Sequence, residues 1–150
     1  MTARRDFLMQ VSALGAATVL VRPVAALAAD DPLVTLTSAY AGKGQVREGR
    51  VTIDIAPLVD NGNSVPITVT VQSPMSETDR VVGIAIFNEK NPQPQVAEFT
   101  LGPRAGRARV ATRIRLATTQ KLVAVAKMTD GSCWTHTVEV VVSLAACLED

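Results

Sequence analysis

Between residues 51 and 143 the chain repeatedly alternates apolar with polar side chains, and this alternation is the strongest constraint on its fold. Successive side chains of a β-strand point to opposite faces of the sheet, so a two-residue period predicts strands that are buried on one face. The clearest example covers residues 107–116. Its apolar face contains Ala108, Val110, Thr112, Ile114 and Leu116, and its opposite face contains Arg107, Arg109, Ala111, Arg113 and Arg115.

Six further segments have strand character, and turn residues separate them. They cover residues 51–55, 65–71, 81–87, 96–101, 122–128 and 134–143. The segment 81–87 is apolar on both faces, which predicts a central strand covered on both sides. Clusters of Asp, Asn, Gly and Ser, such as 60–64 and 129–132, mark turns. About seven strands joined by short turns predict an all-β fold in which antiparallel strands form a two-sheet sandwich.

A short helix is expected before the first strand, over residues 30–41. Asp30 and Asp31 precede Pro32 at its start, and Gly42 follows its end. This is the usual order of helix-flanking residues, because acidic side chains and proline favour the first turn and glycine favours the stop.

The first 28 residues have the features of a secretory signal. Arg4 and Arg5 are followed by Phe-Leu and an apolar run over 9–21, and Ala26-Leu27-Ala28 forms a cleavage site of the A-x-A type. Paired arginines before such a run predict export by the twin-arginine route, and therefore a periplasmic location. The alternative, a buried amphipathic helix, is disfavoured because no polar face recurs with a 3.6-residue period. We therefore expect a signal peptide over 1–28, one β-sandwich domain over 29–143 and a C-terminal arm over 144–150.

The composition argues against several classes of function. The chain has 15 basic and 14 acidic side chains, so its charge gives no reason to expect nucleic acid or an anionic membrane as a partner. One histidine and two cysteines fall short of a tetrahedral zinc site, so neither a metal nor another cofactor is expected. Asp130, Ser132 and His136 lie close in sequence. A turn Asp, a turn Ser and a strand His are ordinary residues for those positions, so a catalytic triad is not expected.

The four arginines within residues 107–116 leave two interpretations open. Glu and Asp on neighbouring strands can neutralise them on a solvated sheet face, which is the more common arrangement. Alternatively, the arginines can attract a small oxyanion or an acidic partner, because guanidinium groups bind such groups with forked hydrogen bonds.

The two cysteines, Cys133 and Cys147, are not expected to pair with each other. If residues 134–143 form one strand, they span roughly 33 Å at about 3.3 Å per residue. Residues 144–147 can return at most about 14 Å, whereas a disulfide requires Cα atoms within about 7 Å. Cys133 is expected to be a small, partly buried side chain, with an intermolecular disulfide or a reactive thiol as alternatives. Cys147 lies in the arm, where a thiol is accessible to oxidants and to other proteins.

Several separated motifs occur in order between Val51 and Cys147. They are Asp60-Asn61-Gly62-Asn63-Ser64-Val65-Pro66, Asn91-Pro92 with Pro94, Gly106-Arg107-Ala108, Thr112-Arg113-Ile114-Arg115, Val123-Ala124-Val125-Ala126, and Asp130-Gly131 with Trp134. In this order they resemble the SoxY family, the sulfur-carrier subunit of the bacterial thiosulfate-oxidising (Sox) system. A twin-arginine signal is also typical of that family.

The resemblance implies a fold, a partner and a role for one residue. SoxY-like proteins are immunoglobulin-like β-sandwiches that form a heterodimer with SoxZ, a subunit without a signal peptide. They are carriers and not enzymes, and they hold sulfur intermediates covalently on a cysteine near the C-terminus; by position, Cys147 is the matching residue. A Sox cytochrome attaches thiosulfate to that thiol, a hydrolase then removes sulfate, and a sulfane dehydrogenase oxidises the remaining sulfur in some bacteria. No cofactor is implied for the carrier itself.

The arm departs from the family's pattern. SoxY-like arms typically have glycines on both sides of the cysteine, whereas this arm reads Ala145-Ala146-Cys147-Leu148-Glu149-Asp150. One hypothesis is a working carrier whose enzymes accept the altered arm. A second is a SoxY-like paralogue that acts as a binding or structural subunit, and a third is an unrelated exported sandwich with an adhesive or chaperone function.

Overall fold

The computed structural model describes residues 31–144, which form a two-layered β-sandwich with one short helix. The helix, α1, covers Pro32–Ala41. The strands are β1 (Val46–Glu48), β2 (Val51–Asp54), β3 (Leu58–Asn61), β4 (Val65–Val71), β5 (Val81–Asn88), β6 (Gln95–Thr100), β7 (Arg109–Ile114), β8 (Gln120–Met128) and β9 (Cys133–Leu144). No helix between residues 31 and 144 is long and apolar enough to cross a membrane.

Two sheets face each other across the main core. The larger sheet has the strand order β1-β9-β8-β5-β6, with β3 also pairing with β9, and the smaller sheet has the order β2-β4-β7. Alternate residues of β4, such as Val65, Ile67 and Val69, are buried in this core. Ile84 of β5 and Val140 of β9 belong to the same core from the opposite sheet. The predicted all-β sandwich is therefore confirmed.

Helix α1 covers the outer face of the larger sheet. Asp31 caps its first turn, because the Leu33 N–H donates a hydrogen bond of 2.9 Å to Asp31 Oδ1, and Gly42 follows its end at φ 63°. Leu33 packs in a second apolar cluster with Phe87 of β5 and Val125 of β8. The predicted helix is confirmed, and so is the predicted central strand, because β5 is buried along nearly its whole length.

The alternation pattern does not predict two of the nine strands between residues 31 and 144, β1 and β3. All three residues of β1 are exposed, and β3 is exposed except for the half-buried Val59, so neither strand has a buried face that would produce alternation. Both pair with β9 in the parallel direction. The sandwich therefore departs from purely antiparallel pairing at these two short pairs, and the turn expected over 60–64 begins only at Gly62.

Candidate functional site

The predicted C-terminal arm follows β9 in the sequence. Of the arm residues 144–150, only Leu144 belongs to the part of the chain that the structure describes. Cys147, the predicted site of sulfur attachment, lies outside the described residues. Cys147 is the third residue after Leu144, and a chain of three residues reaches at most about 11 Å. The end of β9 therefore limits where the Cys147 thiol can act.

A glycine connects the end of β9 to both layers of the sandwich. Asn61 of β3 pairs with Leu144, and the next residue, Gly62, donates its N–H to the Leu144 carbonyl oxygen at 2.9 Å. The Gly62 carbonyl oxygen accepts a hydrogen bond of 2.8 Å from the N–H of Leu116, which lies just after β7. The sequence indicates a turn at Gly62, but it carries no signal for these contacts, because they depend on how the two sheets stack.

Strand β7 and the residues that flank it present an exposed row of arginines on the outer face of the smaller sheet. We define the arginine row as Arg107, Arg109, Arg113 and Arg115, all of which are exposed. Within residues 31–144, strand β7 forms the edge of this sheet and pairs only with β4, where Thr70 and Pro66 are the partners of Arg109 and Arg113. One of the Arg113 guanidinium nitrogens donates a hydrogen bond of 3.2 Å to Ser64 Oγ.

Acidic side chains do not neutralise the arginine row within residues 31–144. The salt bridge found in this part of the chain joins Arg50 to Asp79 at 3.0 Å, and it involves no member of the row. The expectation that Glu or Asp on neighbouring strands pair with these arginines is therefore wrong, because the partners in register on β4 include a hydroxyl residue and a proline. The row is a solvated face with uncompensated positive charge.

Cys133 is a poor site for sulfur attachment, because the fold buries it completely. It is the first residue of β9, is 0% exposed, and packs with Leu33 and Ala41 of α1. Burial raises the pKa of the Cys133 thiol, an effect that Lys127 partly opposes. The nucleophilic thiolate is therefore disfavoured. The expected side chain was small and partly buried, and the structure buries it completely.

The length of β9 separates the two cysteines. Cys133 is a free thiol at one end of the strand, and Leu144 is at the other. The strand has 12 residues, so its ends lie roughly 36 Å apart at about 3.3 Å per residue. The three residues that follow Leu144 cannot cover that distance, so a Cys133–Cys147 disulfide within one chain is out of reach.

Asp130, Ser132 and His136 do not form the hydrogen bonds of a catalytic triad. The Ser132 N–H and hydroxyl donate to Asp130 Oδ1 at 2.8 and 2.6 Å, which closes the turn before β9. His136 Nδ1 accepts a hydrogen bond of 3.1 Å from the Ile53 N–H and so ties β9 to β2. Their roles are structural, as expected. Within the described residues, no group of three or more His, Cys, Asp or Glu side chains could hold a metal ion.

Comparisons with known proteins connect this arrangement to one family. A scan against protein-family models matches residues 37–147 to the sulfur oxidation protein SoxY, so the match includes Cys147. A search of curated proteins finds no match. Among solved structures, the chain is similar to the sulfur carrier protein SoxY from Chlorobium limicola f thiosulfatophilum, with a TM-score of 0.63 and 30% sequence identity. That similarity covers 75% of this chain and 96% of the Chlorobium chain.

Superoxide reductases share the fold at lower sequence identity. The protein from Ignicoccus hospitalis has a TM-score of 0.56 and 15% identity, and the similarity covers 63% of this chain and 80% of that one. The protein from Nanoarchaeum equitans has a TM-score of 0.50 and 16% identity, over 60% of this chain and 90% of that one. These likenesses show a common fold alone. The family match and the Chlorobium structure agree, so the immunoglobulin-like sandwich is confirmed and the chain belongs to the SoxY family.

Proposed function

We propose that this chain is a sulfur carrier that holds thiosulfate-derived intermediates covalently on Cys147 in the periplasm. The observation that carries the proposal is the contrast between the two thiols. The fold buries Cys133 completely, whereas Cys147 follows the end of β9 in the sequence, three positions after Leu144. The family match extends to residue 147, and the Chlorobium protein of similar fold is named a sulfur carrier. One buried thiol and one arm thiol suit a protein that loads sulfur at a single position.

The chemistry requires a thiolate and an external electron acceptor. The Cys147 thiolate and the outer sulfur of thiosulfate form an S–S bond, and two electrons pass to an acceptor that the family resemblance identifies as a c-type cytochrome. Water then attacks the sulfonate sulfur, and cleavage of its bond to the neighbouring sulfur releases sulfate and two protons. A persulfide remains on Cys147. Both the thiolate fraction and the access to the thiol control such reactions.

The proposal includes partners and a role without catalysis. The family resemblance supports a SoxZ-like subunit as heterodimer partner and transient contacts with a cytochrome, a hydrolase and a sulfane dehydrogenase. The arm suits such contacts, because it can carry the reacting sulfur up to about 11 Å from the end of β9. In this proposal the catalytic groups belong to the enzymes that bind the carrier transiently. The signal predicted over residues 1–28 supports export by the twin-arginine route, and it lies outside the described residues.

One feature of the arm favours a second candidate, a SoxY-like paralogue that binds a partner without carrying sulfur. Leu148, Glu149 and Asp150 follow Cys147, where SoxY-like arms typically have glycine. Two nearby carboxylates disfavour the thiolate and repel anionic thiosulfate. Leucine also widens an arm that must enter the active sites of other proteins.

Mass spectrometry of the native protein tests the carrier proposal. The protein is purified without reductant from cells growing on thiosulfate, and a thiosulfonate or persulfide adduct is expected on Cys147. Cys147→Ala should abolish the adduct. Cys133→Ala removes the other thiol and is the matched control, so it should retain the adduct. An unmodified Cys147 thiol in cells that are oxidising thiosulfate would contradict the proposal.

Complementation separates the two candidates. In cells that lack this protein, a carrier with Cys147→Ala should fail to restore thiosulfate oxidation, even though it still co-purifies with a SoxZ-like chain. A binding or structural subunit predicts the opposite result, because Cys147→Ala should then restore thiosulfate oxidation fully.

A further inference from the structure

The arginine row and the exit of the arm lie at the same end of the sandwich. Leu144 is linked through Gly62 to Leu116 by hydrogen bonds of 2.9 and 2.8 Å. Leu116 directly follows Arg115, the last arginine of the row. The backbone of Arg115 therefore lies within roughly 14 Å of Leu144, given the dimensions of the peptide units in between.

Arg113 extends its side chain towards the same place. Its guanidinium group donates to Ser64 Oγ at 3.2 Å, and Ser64 follows Gly62 by two residues. A guanidinium group has five N–H donors, so this hydrogen bond leaves most of them available. We define Arg113 and Arg115 as the near end of the row, because they lie closest to the exit of the arm.

No acidic side chain within residues 31–144 forms an ion pair with the near end of the row. Asp60 of β3 is exposed and lies two residues before Gly62, but it forms no ion pair with either arginine. Within residues 31–144 the salt bridge present is Arg50–Asp79, which is remote from this end. Two closely spaced positive charges therefore face solvent beside the point where the arm begins.

The arm supplies charge of the opposite sign. Residues 145–148 are uncharged, and Glu149 and Asp150 follow them. Five or six residues reach about 17 to 20 Å when extended, which exceeds the distance from Leu144 to Arg115. We propose that the near end of the arginine row binds the carboxylates of Glu149 and Asp150 of the same chain. This contact is additional to sulfur carriage and does not depend on it.

The contact changes the electrostatic surroundings of Cys147, which lies between Leu144 and Glu149. Guanidinium groups favour a thiolate over a thiol and attract anionic sulfur species, whereas free carboxylates have the opposite effect. Pairing Glu149 and Asp150 with the row therefore neutralises the charges that would oppose loading of the thiol. The paired arm is also held against the sandwich, and a partner must displace the two carboxylates to draw the thiol outward.

A nitroxide spin label on Cys147 tests the contact in the full mature chain. Cys133 is completely buried, so the labelling reagent should react with Cys147 alone in the folded protein. At low ionic strength, the electron paramagnetic resonance spectrum should contain a slow component from the bound arm. At roughly 1 M salt the Debye length is about 3 Å, so the slow component should disappear.

Charge variants identify the partners. Arg113→Glu with Arg115→Glu should lower the ratio of slow to mobile component by about fivefold or more at low salt, as expected for two exposed ion pairs. Lys43→Glu with Arg104→Glu is the matched control: it changes the net charge equally at two exposed positions near the opposite end of the sandwich, and it should leave the spectrum unchanged. Replacing Glu149 and Asp150 by Lys in the first variant should restore the slow component.

Three outcomes would overturn the proposal. They are a fully mobile label in the wild-type protein at low salt, a slow component that survives Arg113→Glu with Arg115→Glu, and equal losses in the test and control variants. A slow component that grows with protein concentration would place the arm on a second copy and would overturn the same-chain contact. The label occupies the Cys147 thiol, so no thiosulfate-derived intermediate can be bound there, and none of these outcomes depends on the adduct experiment.

Discussion

Gly44 lies where the fold leaves no room for a side chain. It connects α1 to β1, and a Cβ atom added there would collide with the Gly131 carbonyl oxygen. The same atom would lie 3.2 Å from the Ala41 carbonyl oxygen and 3.3 Å from the Cys133 Sγ atom. The two carbonyl oxygens belong to the backbone and cannot rotate away. We therefore expect Gly44→Ala to displace the connection that closes over Cys133.

The expected cost follows from the contacts that must shift. Overpacking at a well-packed site costs about 1–3 kcal/mol. Displacement also weakens the hydrogen bond of 3.0 Å from the Gly44 N–H to the Ala41 carbonyl oxygen, worth about 1 kcal/mol. A total of about 3 kcal/mol, divided by a urea m-value of about 2 kcal/mol/M, lowers the unfolding midpoint by about 1.5 M.

Urea unfolding can be followed by the fluorescence of Trp134, the one tryptophan of the chain. Gly106→Ala is the matched control, because no heavy atom lies within 4 Å of its added Cβ, and its midpoint should stay unchanged. In a Cys147→Ala background, the rate at which a thiol reagent modifies Cys133 gives a second measurement. A loss of about 3 kcal/mol allows that rate to rise by up to about 100-fold.

An unchanged urea midpoint in Gly44→Ala would refute the steric argument, and so would equal losses in the two alanine variants. Equal rates of Cys133 modification in the two variants would refute the claim that the α1–β1 connection shields this thiol.

Single aromatic and histidine residues provide three further tests. Burial raises the pKa of Tyr40, the one tyrosine, to about 12. Its phenolate absorbance should therefore appear at higher pH than the value of about 10 expected after unfolding, and stability should fall as the pH rises above about 10. Arg50→Ala removes a guanidinium group 5.3 Å from the Trp134 ring centroid, so tryptophan fluorescence should change and the free energy of unfolding should fall by about 1 kcal/mol. His136→Ala leaves the Ile53 N–H without its partner and should cost about 1–3 kcal/mol in urea unfolding, whereas no loss would argue against that hydrogen bond.

Strands that bury one face can be predicted from this sequence, because burial imposes alternation. Strand β4 alternates buried with less buried residues along its whole length. Helix α1 is predictable from Asp31 and Gly42, since the residues that flank a helix act locally. Strands β1 and β3 escape prediction because they add to β9 through backbone hydrogen bonds while their side chains remain largely exposed.

The surroundings of the candidate site are less predictable than its residues. The sequence places four arginines on one face of the segment 107–116, which contains β7, but their neutralisation depends on which strand lies beside it. The observed neighbour, β4, begins more than 40 residues earlier in the chain, and its register brings Thr70 and Pro66 to the arginines. The link from Leu144 through Gly62 to Leu116 likewise depends on tertiary structure, because it joins three distant segments.

Strand β9 is also placed to resist a mechanical force applied through the arm. It pairs with β8 on one side and with β1 and β3 on the other, and the arm begins where the strand ends. Any pull transmitted through Leu144 acts along the strand axis. The ladder hydrogen bonds run across that axis, so they share the force in shear and do not open one after another. The arm is therefore attached at a mechanically strong position. A pull on it loads many hydrogen bonds of β9 at once, whereas a pull on a terminal loop would break its hydrogen bonds one at a time.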